Sequence, residues 1–68
     1  MTHTLLVYMH SGKIIRLDYS KASEAWDALN TFAFSESDGV RVADDFGSYA
    51  IRLDNVAFVK MIQEEEDN

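Results

Sequence analysis

His3 and His10 are the first residues to test for chemistry, because imidazole is a common metal ligand and changes charge near neutral pH. They stand seven residues apart in a stretch that reads as one strand, so a regular strand sends them to opposite faces and they cannot chelate one ion together. The chain has no Cys, which excludes disulfides, thiolate metal sites and thiol nucleophiles. Ser11-Gly12-Lys13 holds a Gly and a Lys but lacks the rest of a phosphate-binding loop and its strand-to-helix setting. Asp44-Asp45 beside Gly47 has the start of a calcium loop without the further oxygen ligands at the required spacing. No pair among the twelve acidic residues is singled out for acid and base work, and no motif sets a base beside a hydroxyl. The sequence therefore assigns no catalytic residue, no metal ligand and no cofactor, and it predicts a protein that is not an enzyme.

The elements that could position a binding surface are better marked. Residues 21–34 form the one helical pattern, in which Ala22, Ala25, Trp26, Leu29, Phe32 and Ala33 recur at helical spacing. Trp26 is expected at the centre of the buried face, with Ser20 as N-cap and Glu24 favourably placed in the first turn. Residues 4–10 and 13–19 are rich in β-formers and flank Ser11-Gly12, a hairpin. A two-residue loop pairs Tyr8 with Ile15 and Leu6 with Leu17 on one face, and Val7 with Arg16 on the other; a three-residue loop changes every partner. Residues 39–44 and 48–53 alternate cleanly and make a second hairpin, in which Val40, Val42, Ile51 and Leu53 suit the helix-covered side. A last strand covers residues 56–62. The fold class is α+β: a small antiparallel sheet in the order ββαβββ, with one amphipathic helix on one face.

Sixty-eight residues make one domain, with residues 1–63 as its body and residues 64–68 as an acidic tail expected to be disordered. The formal charge of −6 belongs largely to that tail, because residues 1–63 carry six bases against eight acids. The chain shows no leader pattern and no apolar run near the roughly 18 residues of a membrane span, so a cytoplasmic protein without membrane contact is predicted.

Under the two-residue loop, Leu5, Val7, Met9, Ile14, Arg16, Arg41 and Arg52 share the sheet face away from the helix. An apolar, Met- and Arg-bearing sheet face is an interface pattern, and a domain this small gains buried area by pairing. The sequence thus predicts a binding or regulatory module that self-associates, as a dimer through the open face or an edge strand, or that binds another protein. Two rival readings use the same residues differently. One is a nucleic-acid binder on the Arg-bearing face, against which six basic residues and the net charge argue. The other is an acidic nucleic-acid mimic that occupies a basic groove, against which stands the third of the acids lying in the tail.

Overall fold

The computed structural model describes residues 2–64, so the expected disorder of the acidic run concerns residues that lie, beyond Glu64, outside the described part. Five strands and one helix follow in the predicted order: β1 (Thr2–Met9), β2 (Ile14–Tyr19), α1 (Ala22–Phe34), β3 (Gly39–Ala43), β4 (Ser48–Arg52), a 3₁₀ turn at Leu53–Asn55, and β5 (Val56–Glu64). They form an α+β domain, but with two antiparallel sheets rather than one: β2-β1-β5 and β3-β4.

The first hairpin closes through a three-residue loop. Met9 N–H donates to the Lys13 carbonyl at 2.9 Å, Gly12 N–H donates to the Met9 carbonyl at 3.0 Å, and Gly12 takes φ +94°, which a side chain would resist. His3 then pairs with Tyr19, Leu5 with Leu17 and Val7 with Ile15. This is one residue away from the two-residue-loop register, and such a slip exchanges the two faces of a strand. Leu5 and Val7 are consequently fully buried and Met9 packs against the core, a correction to their expected place on the open face.

One core fills the space between the sheets and the helix. Leu5, Val7, Leu17 and Tyr19 come from the larger sheet, Ala25 and Ala28 from α1, and Val40, Val42 and Ile51 from the smaller sheet. The second hairpin pairs Val40 with Ile51 and Arg41 with Ala50, two residues from the register expected of a Phe46-Gly47 loop, which sets Val42 opposite Ile51 and Val40 opposite Leu53; a shift of two preserves the faces, so its apolar side is the predicted one.

The helix is rolled relative to expectation. At about 100° per residue, Ala25, Ala28, Leu29 and Phe32 span roughly one third of its circumference, and these are the residues that meet the core. Trp26 lies on the rim of that arc and is 51% exposed, which overturns its expected central place. The small side chains of Ala25 and Ala28 let the helix approach β1, β2, β3 and β5 closely. Its N-cap position is occupied by Lys21 without a side-chain cap; Ser20 instead donates its N–H to the Asp45 carboxylate at 2.9 Å.

These placements reverse the usual rank of a Trp and a Leu. Leu5→Ala should cost about 2–5 kcal/mol, a large share of the roughly 3–10 kcal/mol available to a domain of this size, whereas Trp26→Ala should cost less than about 1 kcal/mol. Urea melts of the two variants give the comparison directly. A Trp26→Ala loss equal to that of Leu5→Ala would return Trp26 to the core.

Candidate functional site

The outer face of β2-β1-β5 is built from the alternate residues of each strand. Tyr8 pairs with both Ile14 and Phe58, Leu6 with Arg16 and Lys60, and Thr4 with Asp18 and Ile62, so these nine side chains share one face, on which Thr4 alone is fully buried. Ile14 is 52% and Phe58 54% exposed, and the rings of Tyr8 and Phe58 stack with centroids 4.3 Å apart, their planes inclined by 15°. Stacking across neighbouring strands fixes both rings with little freedom to lose on binding. At one end the Asp18 carboxylate accepts from the Thr4 hydroxyl at 2.9 Å and from Arg16 Nε at 2.9 Å, which orders the Arg16 stem along the sheet.

Of the residues expected on this face, the structure brings Ile14 and Arg16 to it. Arg41 and Arg52 are exposed, but they belong to the other sheet, where Arg41 lies opposite Ala50 and Arg52 opposite Gly39. A two-residue Phe46-Gly47 loop would set Arg41 opposite Arg52, and the observed pairing separates these like charges. Arg52 Nε lies 3.5 Å from Asp54 Oδ1. Sequence reasoning missed Leu6, Tyr8, Phe58, Lys60 and Ile62; the signal that could have found Leu6 and Tyr8 is Gly12, the residue a three-residue hairpin loop needs at its left-handed position, whereas the three from β5 depend on its pairing with β1.

The two sheets are tied together by an aspartate. Asp44 Oδ2 accepts from the Asp18 N–H at 2.9 Å, while its Oδ1 accepts from the N–H groups of Phe46 and Gly47, each at 2.9 Å. The Asp45 N–H donates in turn to the Asp18 carbonyl at 3.0 Å. Partial burial on its own would push the Asp44 carboxyl upward, but the backbone N–H groups of Asp18, Phe46 and Gly47 outweigh it and hold the group below its ordinary 3.8. Above this junction lies a cavity of about 400 Å³ between α1 and β3, with Tyr19, Glu24 and Asp27 among its walls. Burial first, then the charges of Asp44, Asp45 and Glu24, pushes the Tyr19 hydroxyl up to about 12, so it is neutral at physiological pH. A second, apolar cavity of about 330 Å³ runs between α1 and β5, lined by Leu29, Phe32, Leu53 and Phe58.

His3 is buried in the core and His10 is exposed in the loop; among the described residues no three His, Cys, Asp or Glu side chains gather closely enough to hold a metal ion. No helix among the described residues is long and apolar enough to cross a membrane. Compared with protein families, curated proteins and solved structures, the chain matches none, so the surface is read from its own geometry.

The Asp44 junction gives a pH-dependent expectation. A carboxylate whose folded pKa is depressed contributes stability that is fully present above its unfolded value and is lost as pH falls through the folded value. Asp44→Ala should cost about 1–3 kcal/mol at pH 7, and its gap from wild type should narrow steadily below about pH 4. Thermal melts of both proteins from pH 7 to pH 2 measure that gap, and a gap independent of pH would remove the charge from the account.

Proposed function

We propose that the chain is a non-enzymatic interaction module that self-associates as a dimer by packing the outer face of β2-β1-β5 against the same face of a second copy. The observation that carries this reading is the contiguous apolar surface of Leu6, Tyr8, Ile14, Phe58 and Ile62, uncovered by any described element and half exposed at Ile14 and Phe58. Apolar sheet faces of this kind are where sheets pack on sheets or partners dock. A second copy suits the face because it carries both signs of charge, Arg16 and Lys60 with Asp18, as a self-complementary surface requires.

Size sets the expected strength. Eight residues of β1 at about 3.3 Å each, across three strands about 4.8 Å apart, give a footprint of roughly 350–400 Å² before side-chain relief is counted. A standard interface covers about 800 Å² per partner, so the dimer is concentration-dependent rather than obligate.

One observation favours a second reading. The Tyr8 and Phe58 stack, flanked by Arg16 and Lys60, has the chemistry of a single-stranded nucleic-acid platform, in which bases stack on rings and phosphates meet cations. The formal charge of −6 stands against it.

Sedimentation over a hundredfold range of concentration tests the first reading. Wild type should pass from monomer to dimer, while Phe58→Glu combined with Ile14→Glu should stay monomeric with its melting temperature in dilute solution little changed, since neither residue is in the core. A fluorescent single-stranded oligonucleotide titrated at two salt concentrations tests the second. Binding that weakens steeply with salt, and less steeply in Arg16→Ala with Lys60→Ala, would favour it. A monomeric wild type indifferent to the oligonucleotide would overturn both.

A further inference from the structure

The two edges of β2-β1-β5 are finished differently. Along an antiparallel strand the N–H and C=O of one residue face the same neighbour, and successive residues face opposite sides. Met9 N–H donates to Lys13 on the β2 side, so Tyr8, Leu6 and Thr4 turn their backbone groups toward β5, where those of Phe58, Lys60 and Ile62 meet them. The same alternation points the N–H and C=O of Val59, Met61 and Gln63 out from β5, and those of Asp18 out from β2. The β2 edge is closed there, because Asp18 N–H donates to the Asp44 carboxylate and its carbonyl accepts from Asp45 N–H. Among the described residues no hydrogen bond reaches the outward groups of β5, and from Val56 to Gln63 that strand has no Pro and only one charge, Lys60, to discourage a neighbour. Beside this edge lies the apolar cavity of about 330 Å³ between α1 and β5, with Leu29, Phe32, Ala57 and Val59 among its walls. Unpaired backbone next to an apolar cavity makes a site for an added strand, whose backbone the edge holds and whose side chain the cavity takes.

A second copy supplies that strand. Its β5 has the same length and the same unpaired edge, so antiparallel pairing about a twofold axis satisfies both edges at once. Charge and size select the register. An axis at Lys60 would oppose Lys60 to Lys60, whereas an axis at Val59 sets Met61 opposite Ala57, a long flexible side chain against a small wall residue of the other copy's cavity. We propose that two copies join β5 to β5 in this register, forming one antiparallel sheet of six strands, through a contact separate from the outer-face association. Its axis runs perpendicular to the sheet, so both outer faces lie on the same side and form one surface of twice the area. Four copies assemble where both contacts are used.

Amide hydrogen exchange of the full chain, followed residue by residue from dilute to concentrated protein, tests the edge. In dilute protein the amides of Val59 and Met61 should exchange fast beside the slow amides of Phe58, Lys60 and Ile62. In concentrated protein Val59 and Met61 should slow at least about tenfold, while Gln63, beyond the paired segment, stays fast. The same slowing is expected in Ile14→Glu, which disables the outer face from β2; Phe58 is left intact because it walls the cavity too. A synthetic Ile14→Glu chain N-methylated at Val59 and Met61 keeps every side chain and every bond to β1. It should melt as unmethylated Ile14→Glu does in dilute solution, yet sediment as a monomer where that variant sediments as a dimer. Val59 and Met61 amides that stay fast while wild type dimerises would overturn the edge pairing and leave the outer face standing. Slowing that is lost in Ile14→Glu, or a methylated chain that still dimerises, would overturn it as well. Slowing of Gln63 together with the other two would move the axis to Met61 and overturn the register.

Discussion

The left-handed conformation of Gly12 is the constraint on which the rest of the molecule depends. With φ +94° it ends a three-residue loop, and that loop length decides which residues of β1 stand opposite β2. β2 has one apolar side, Ile15, Leu17 and Tyr19, and one mixed side, Ile14, Arg16 and Asp18. β1 has no such preference, since Leu5, Leu6, Val7, Tyr8 and Met9 are apolar in succession. Whichever β1 residues lie across from Leu17 and Ile15 are carried into the core, and the remainder become surface. The loop selects Leu5 and Val7 for the interior and leaves Leu6 and Tyr8 outside.

A strand apolar on both sides carries more hydrophobic surface than one helix and a two-stranded sheet can cover. The domain spends its inner face on a shared core and holds the two sheets together at their junction with hydrogen bonds rather than with further apolar packing. Asp44 supplies that junction, accepting from Asp18 across the sheets and from Phe46 and Gly47 within its own turn. The same turn explains Phe46, 81% exposed at a hairpin tip: the Asp44 carboxylate and the Asp44 N–H to Gly47 carbonyl bond at 2.8 Å stabilise the turn, so the residue at its tip bears little constraint.

Much of this was legible in the sequence, and the misses have physical causes. The helix follows from its periodicity, the five strands from their runs of β-formers, and the inward set Val40, Val42 and Ile51 from the clean alternation of β3 and β4. The face of β1 was illegible from its own composition and hung on one loop residue. Trp26 misled because size suggests a core anchor, while the helix turns Ala25 and Ala28 inward to come close to two sheets. The split into two sheets was hidden too, as was the junction that joins them, made by hydrogen bonds between Asp18 and a turn some 26 residues away. Tyr19 and the acids around its cavity gave no sequence signal, being drawn from β2, α1 and the β3-β4 turn.

The central claim is that β1 presents Leu6 and Tyr8 outward and Leu5 and Val7 inward. Because the chain contains no Cys, a single Cys placed at each of these four positions in turn is a unique probe. Thiol-labelling rates on dilute, monomeric protein test it most directly. The account predicts rates that alternate along the strand, fast for Leu6→Cys and Tyr8→Cys and slow for Leu5→Cys and Val7→Cys, with the fast pair slowing as concentration rises. Fast labelling at Leu5→Cys and Val7→Cys beside protection at the other two would contradict it, and with it the surface on which the proposed association rests.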